Sequence, residues 1–274
     1  MKLAWFAAVA LATLAGCPKS GYKAPSNLPK AKDVVAKLDQ QRAARKSFRV
    51  ETVMDYFLGK DRVKGTVYVM GTSQRQLRFH AEKPDGTLLI DMACNGQDFT
   101  YVDFQNNCYL SGPCDRHSVA SLLRVELEPE DFHDLAQGTP PVLKDGDGTV
   151  TWDSNRGYEI VKLQGAAGTQ TIAIDERDGR FDVVSSELVG KDGKRLWSVE
   201  NTDFRVIKDA AGVAHRVPGK TRFKSPEKDA DLIVEWKDAE RAINLELVAA
   251  KFSVPIPAGV PVCAAKQPQT GQTP

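Results

Sequence analysis

Cysteine, histidine and carboxylate side chains carry most of the chemistry available to a chain, and their spacing here points away from catalysis. The four histidines, His80, His117, His133 and His215, are scattered. None sits in a His-Glu-x-x-His or Cys-x-x-Cys setting that would converge on one metal ion. No Gly-x-Ser-x-Gly elbow, Walker loop or dinucleotide-binding glycine pattern occurs. Asp145-Gly146-Asp147-Gly148 begins like a calcium loop, but the further acidic ligand and the closing Glu are missing at the right spacing, so it reads as a tight turn. Glu130 and Asp131 open a helical stretch, where their charge complements the helix dipole. We therefore expect no enzyme, no metal and no cofactor.

The thiols point to structure and to processing. Cys94, Cys108, Cys114 and Cys263 form an even set, which in an exported chain implies two disulfides. A Cys94–Cys108 bridge would have to close the roughly 20 Å of the intervening strand. Cys108–Cys114 and Cys94–Cys114 both remain open, and either would clamp the segment that follows. Cys263 is then placed to tie down the C-terminus. A reactive thiol would need a neighbouring His or a Lys/Arg cluster, which these cysteines lack.

Cys17 belongs to a different pattern. Lys2 is followed by the apolar run Leu3 to Ala12, and Leu14-Ala15-Gly16-Cys17 closes it with small residues. The run is shorter than the ~20 residues a membrane-spanning helix needs, and reads as an export signal. Leu-Ala-Gly-Cys resembles the bacterial lipobox, which implies cleavage before Cys17 and acylation of that residue, with 1–16 as signal peptide. Pro18, where Asp would retain an enterobacterial lipoprotein in the inner membrane, implies delivery to the outer membrane, with the domain facing the periplasm. Residues 17–29, with Pro18, Pro25 and Pro29, read as a flexible tether. Residues 266–274, rich in Gln, Thr, Pro and Gly, read as a disordered tail. Between them no second linker appears, so 30–265 is read as one domain. With 37 Lys plus Arg against 36 Asp plus Glu, the chain lacks the basic surplus that nucleic-acid binding requires.

The elements that must carry these residues are mostly strands. Ala31 to Lys46 has Val34, Val35 and Leu38 at helical spacing. From Ser47 the period becomes two: Phe48, Val50, Thr52, Met54 and Tyr56 alternate with polar residues, and runs at Val63–Val69, Leu77–Ala81, Leu88–Met92 and Phe99–Tyr101 continue the pattern. Pro84-Asp85-Gly86 and Asn95-Gly96 are hairpin turns. His117–Leu123 and Pro129–Ala136 read as two short helices. Eight further strands are expected, among them Val213–Phe223 as one strand and Asn244–Phe252 as the last. The fold class is mainly β (α+β): a strongly curved antiparallel sheet forming an incomplete barrel, with an N-terminal helix and two short lid or plug helices.

This order resembles the LolA/LolB-like family of outer-membrane lipoprotein carriers and acceptors. The residues that carry the likeness are Arg75 to Ala81, Pro84-Asp85-Gly86, Asn95 to Asp103 and Asp131 to Gly138. The resemblance implies an open half-barrel that holds acyl chains without covalent chemistry. Its cavity would be lined by Val50, Met54, Leu77, Phe79, Leu88, Ile90, Phe99 and Tyr101, with Val119, Leu122, Leu123, Phe132 and Leu135 as the lid. The hairpin tip at Pro84 to Thr87 lacks the bulky apolar residue of the family's acceptor. Two functions follow: an anchored protein binding acyl chains, such as palmitate, or another apolar ligand in lipoprotein or lipid transfer, and a structural or assembly lipoprotein that docks protein partners. Mass spectrometry of the mature chain is expected to show an acylated Cys17 as first residue. Cys17→Ser is expected to leave the chain uncleaved and unacylated.

Overall fold

The computed structural model describes residues 21–58, 61–83, 85–123, 127–143, 146–226 and 230–263. Cys17 and the tail 266–274 lie outside the described residues. Helix α1 (Ala31–Ala43) leads into β1 (Ser47–Leu58), β2 (Asp61–Thr72), β3 (Gln76–Glu82), β4 (Leu88–Asn95), β5 (Asp98–Asp103) and β6 (Cys108–Pro113). Helices α2 (Arg116–Leu123) and α3 (Pro129–Ala136) follow, then β7 (Asp147–Asp153), β8 (Tyr158–Gly165), β9 (Gly168–Asp175), β10 (Asp182–Val189) and β11 (Arg195–Thr202). The chain ends with β12 (Arg205–Lys208), β13 (Ala214–Val217), β14 (Lys220–Ser225), β15 (Ala230–Trp236) and β16 (Ala242–Ile243). One curved antiparallel sheet, not closed into a barrel, runs in the order β6-β5-β4-β3-β2-β1-β15-β14-β11-β10-β9-β8-β7.

Two meanders are thus joined at β1, which pairs with β15, Met54 facing Val234 and Tyr56 facing Leu232, and near its start with the short β16. Register then carries one face across the whole sheet. Leu110, Tyr101, Met92, Phe79, Val69 and Val50 are successive partners on one side. Leu232, Phe223, Val199, Ser186, Ile172, Val161 and Val150 continue it on the other. Side chains alternate along a strand, so this row fixes an inner face. Helices α2 and α3 fill its first half, with Val119, Phe132 and Leu135 packed among Val50, Phe79, Phe99 and Phe223. The second half is covered by α1, whose Ala31, Val34 and Leu38 meet Val161, Ile172, Ile174 and Val183.

Two strand expectations are corrected. Val213–Phe223 is split, because Pro218 has no N–H for a ladder and Gly219 turns the chain, its N–H bonding Thr202 O and Asp203 O. β13 pairs with β12 as a separate two-stranded sheet, and β14 joins the main one. Asn244–Phe252 is also not a strand. Asn244 has φ 54°, and Ala249–Phe252 forms a short 3-10 turn.

From there the chain crosses the outer face. Val254 packs on Ala93 and Val102, and Arg78, held by Asp91 at 2.7 and 2.6 Å, donates to Lys251 O and Ser253 O. The disulfides are Cys94–Cys114 and Cys108–Cys263. The first ties the start of α2 to β4. The second fastens the C-terminal segment beside β6, where Tyr109 N–H bonds Pro261 O and Cys263 N–H bonds Tyr109 O, covering an edge that would otherwise be open.

Candidate functional site

Of the thirteen residues expected to line a cavity or its lid, eight meet in one cluster. Val50, Met54, Leu77, Phe79, Phe99, Val119, Phe132 and Leu135 are all buried there, none more than 6% exposed. Ile90 and Tyr101 sit at its margin, half-buried, beside Leu89, Leu110 and Trp197. Leu88 is half-buried and is not part of the cluster. The side chains of Leu122 and Leu123 lie outside the described residues. The helices are short for the surface they cover: eight residues each, about 12 Å, against the twelve residues of β1 and β2, roughly 40 Å.

The sequence reading missed a polar belt between the two apolar halves. The last turn of α3 and the segment after it cross the inner face there, and their carbonyls would be orphaned in an apolar surrounding. Side chains from five other parts of the chain satisfy them. Arg241 donates to Ala136 O at 2.9 Å and to Pro218 O at 2.7 Å. Arg45 donates to Gln137 O at 2.6 Å and to Arg216 O at 2.9 Å. Asn201 on β11 donates to Gly138 O at 3.3 Å, Arg42 on α1 to Pro140 O at 2.5 Å, and Gln170 on β9 to Pro141 O at 2.6 Å.

Burial pushes the Arg45 guanidinium down to about 10, with Asp134 and then Asp182 opposing. Burial, reinforced by Arg45, pushes Arg241 down to about 9, with Asp238 opposing. Both stay cationic at neutral pH, at the negative end of the α3 dipole. The belt also holds His133, 1% exposed. Its Nε2 lies 3.0 Å from Gln137 Nε2 and its Nδ1 3.0 Å from Asp134 Oδ1. The Gln137 amide and the Asp134 carboxylate thus hold both ring nitrogens.

The lid expectation therefore changes. α3 is a latch, fixed at its C-terminal end by two buried cations. At its other end Glu128 and Glu130 bond Arg75, and Glu128 also bonds Arg116. α2 is pinned at its start by the Cys94–Cys114 bridge and by the Asp115 carboxylate accepting from the His117 and Ser118 amides. The signal for the belt was present in the sequence as broken alternation. Gln170 shares parity with Ile172 and Ile174, and Asn201 with Val199, at positions that face inward. Other expected polar groups are accounted for locally: His80 pairs with Glu82 at 2.8 Å, and His215 with Asp209 at 2.9 Å. Among the described residues no cluster of three or more potential metal ligands occurs.

A half-barrel sheet with α1 on one half and the α2–α3 pair on the other is a known architecture. A LolA superfamily protein from Nitrosomonas europaea aligns over 83% of this chain and 99% of its own, at 12% identity and a TM-score of 0.54. This chain has the LolA/LolB-like fold. A DUF1329 family protein from Desulfovibrio piger covers 81% and 95% of the two chains, with 13% identity and a TM-score of 0.53. A candidate outer membrane lipoprotein-sorting domain from Vibrio parahaemolyticus covers 81% and 97%, with 8% identity and a TM-score of 0.50. No protein-family model matches the sequence, and no curated protein matches it. At these identities the LolA/LolB-like likeness is one of fold.

The belt makes a direct prediction. Asn201→Ala removes the partner of Gly138 O, Val183 O and the Thr221 hydroxyl, and is expected to lower the unfolding free energy by about 2–3 kcal/mol in urea titration. Asn155→Ala, in an exposed turn, is expected to stay within about 0.5 kcal/mol of wild type.

Proposed function

We propose that the chain is a lipid-anchored, non-enzymatic carrier-type protein of the outer membrane, facing the periplasm, which takes an acyl chain or similar apolar ligand against the inner face of β3 to β6. The observation that carries this reading is the continuous apolar inner face. It is roofed by helices rather than by a second sheet, and it ends in the half-buried margin of Ile90, Tyr101 and Leu110. Closing such a face with a hinged helix lets a ligand replace helix side chains at small net cost in exposed apolar area. α2 is the element that moves, turning about its disulfide-pinned start, because α3 cannot leave without stranding five carbonyls and two buried cations. Likeness to a LolA superfamily protein and to an outer membrane lipoprotein-sorting domain supports a cargo of acylated protein or lipid.

A second reading has one observation in its favour: the eight cluster residues are already close-packed in the structure. On that reading the helices are permanent core and the outer surface docks protein partners.

Native mass spectrometry of the purified protein before and after organic extraction separates the two. The carrier reading predicts a co-purifying species with acyl chains, and displacement of a fluorescent fatty acid by palmitate. Leu110→Glu, at the half-buried margin, is expected to weaken that binding at least tenfold while leaving the far-ultraviolet circular dichroism unchanged. A protein that is empty and refuses added fatty acid contradicts the carrier reading and supports docking.

A further inference from the structure

The segment read as a flexible tether is seated at one point. Tyr22 N–H donates to Ser154 O at 2.7 Å, and the Trp152 indole donates to Tyr22 O at 3.0 Å. The Arg177 guanidinium lies 4.7 Å over the Tyr22 ring and 5.5 Å from that of Tyr158, and is itself fixed by two 2.8 Å bonds to Asp175. Gly157 completes the seat. Its φ is 74°, and a Cβ there would come within 2.7 to 3.0 Å of the Tyr22 ring. Only five peptide units separate this ring from Cys17, which limits the reach from an acylated Cys17 to about 17 Å. The β7–β8 end of the domain is therefore held close to the bilayer.

That same end carries a cavity of about 630 Å3 on the outer face of β10 and β11, walled by the β12–β13 hairpin. Tyr158 and Asp175 belong both to the surroundings of Tyr22 and to the cavity. Three guanidiniums, Arg156, Arg180 and Arg216, line it together with three carboxylates, so the balance of charge suits a zwitterion better than an anion. Two of the carboxylates are engaged: Asp175 holds Arg177, and both oxygens of Asp182 accept from Arg216 Nε at 2.7 and 2.8 Å. Among the described residues, no hydrogen bond engages the Nη groups of Arg216 or the Glu200 carboxylate, and the Arg156 guanidinium has only a 3.9 Å approach to Asp153. Phe204 presents its ring to the Arg216 guanidinium at 5.7 Å.

The geometry points to a site for the phosphoethanolamine headgroup of a membrane phospholipid, with its phosphate on the Arg156 and Arg216 guanidiniums and its ammonium on Glu200 and the Phe204 ring. Guanidinium Nη pairs match phosphate oxygens in geometry and charge. An ammonium hydrogen-bonds a carboxylate and is attracted to an aromatic face. Occupancy would orient the half-barrel on the bilayer, with the seated Tyr22 and the headgroup as two fixed points. This inference rests on acylation of Cys17 for its membrane setting, but not on any ligand in the inner face.

Isothermal titration of the full mature protein in non-ionic detergent, with glycerophosphoethanolamine, glycerophosphocholine and inorganic phosphate as probes, tests it. Saturable binding of glycerophosphoethanolamine is expected, at least tenfold tighter than the other two. Arg156→Gln and Glu200→Gln, both exposed positions, are each expected to weaken it at least tenfold while fatty-acid displacement stays at the wild-type level. Equal binding of inorganic phosphate, unaffected by Glu200→Gln, would show a simple anion site and overturn the assignment. Equal binding of glycerophosphocholine would remove the hydrogen-bonded ammonium, and absence of binding by all three would remove the site. The fatty-acid assay and the N-terminal mass, taken on the same sample, report separately on the carrier and anchor readings.

Discussion

The structure depends on how the carbonyls of Ala136, Gln137, Gly138, Pro140 and Pro141 are satisfied in the middle of a curved apolar sheet. A helix that ends inside a half-barrel leaves acceptors that water cannot reach, each costing about 1–3 kcal/mol if unpaired. Here five side chains reach them: Arg42, Arg45, Gln170, Asn201 and Arg241. They come from α1, the connection to β1, β9, β11 and the segment after β15, so the latch draws both meanders together across the face their β1–β15 pairing creates. Arg45 and Arg241 are cations in low-dielectric surroundings, which is tolerable because each meets carbonyl oxygens at a helix C-terminus.

This constraint fixes α3 and the crossing segment, while α2 is pinned at its start by Cys94–Cys114 and by its Asp115 cap. The second bridge, Cys108–Cys263, acts at the β6 edge of the sheet, fastening the C-terminal segment there. The two disulfides therefore bracket β4 to β6, the part of the sheet whose inner margin is half-buried. On the proposed carrier reading, this part of the sheet is the floor beside a roof that turns about the start of α2.

Much of this could be read in the residues. The alternation of Phe48, Val50, Thr52 and Met54 fixed β1, and it recurs in β3 and β5, so eight of the expected inner residues do share one cluster. Cys94–Cys114 was one of two pairings left open, and Cys263 does hold the C-terminal segment. Long-range partners were not legible: nothing local to Leu232, Val234 or Trp236 says that β15 lies against β1. Tertiary context also overrode local pattern where Val213 to Phe223 broke at Pro218-Gly219, because the chain leaves one sheet there for another. The polar belt was hidden for a different reason. Gln170 and Asn201 look like ordinary strand polarity until their parity is compared with Ile172 and Val199, and the arginines contribute through backbone carbonyls distant in sequence.

Seating of Tyr22 against Gly157 and Trp152 adds a further fixed point at the β7–β8 end, far along the sheet from the β4–β6 margin. The central claim is that α3 is fixed and α2 moves. Amide hydrogen exchange of the full protein, with and without palmitate, tests it most directly. The account predicts that residues 129–143 exchange only with global unfolding in both samples, while residues 116–123 exchange faster and become protected when palmitate binds. Equal protection of both segments, unchanged by palmitate, or earlier exchange of 129–143, would contradict it.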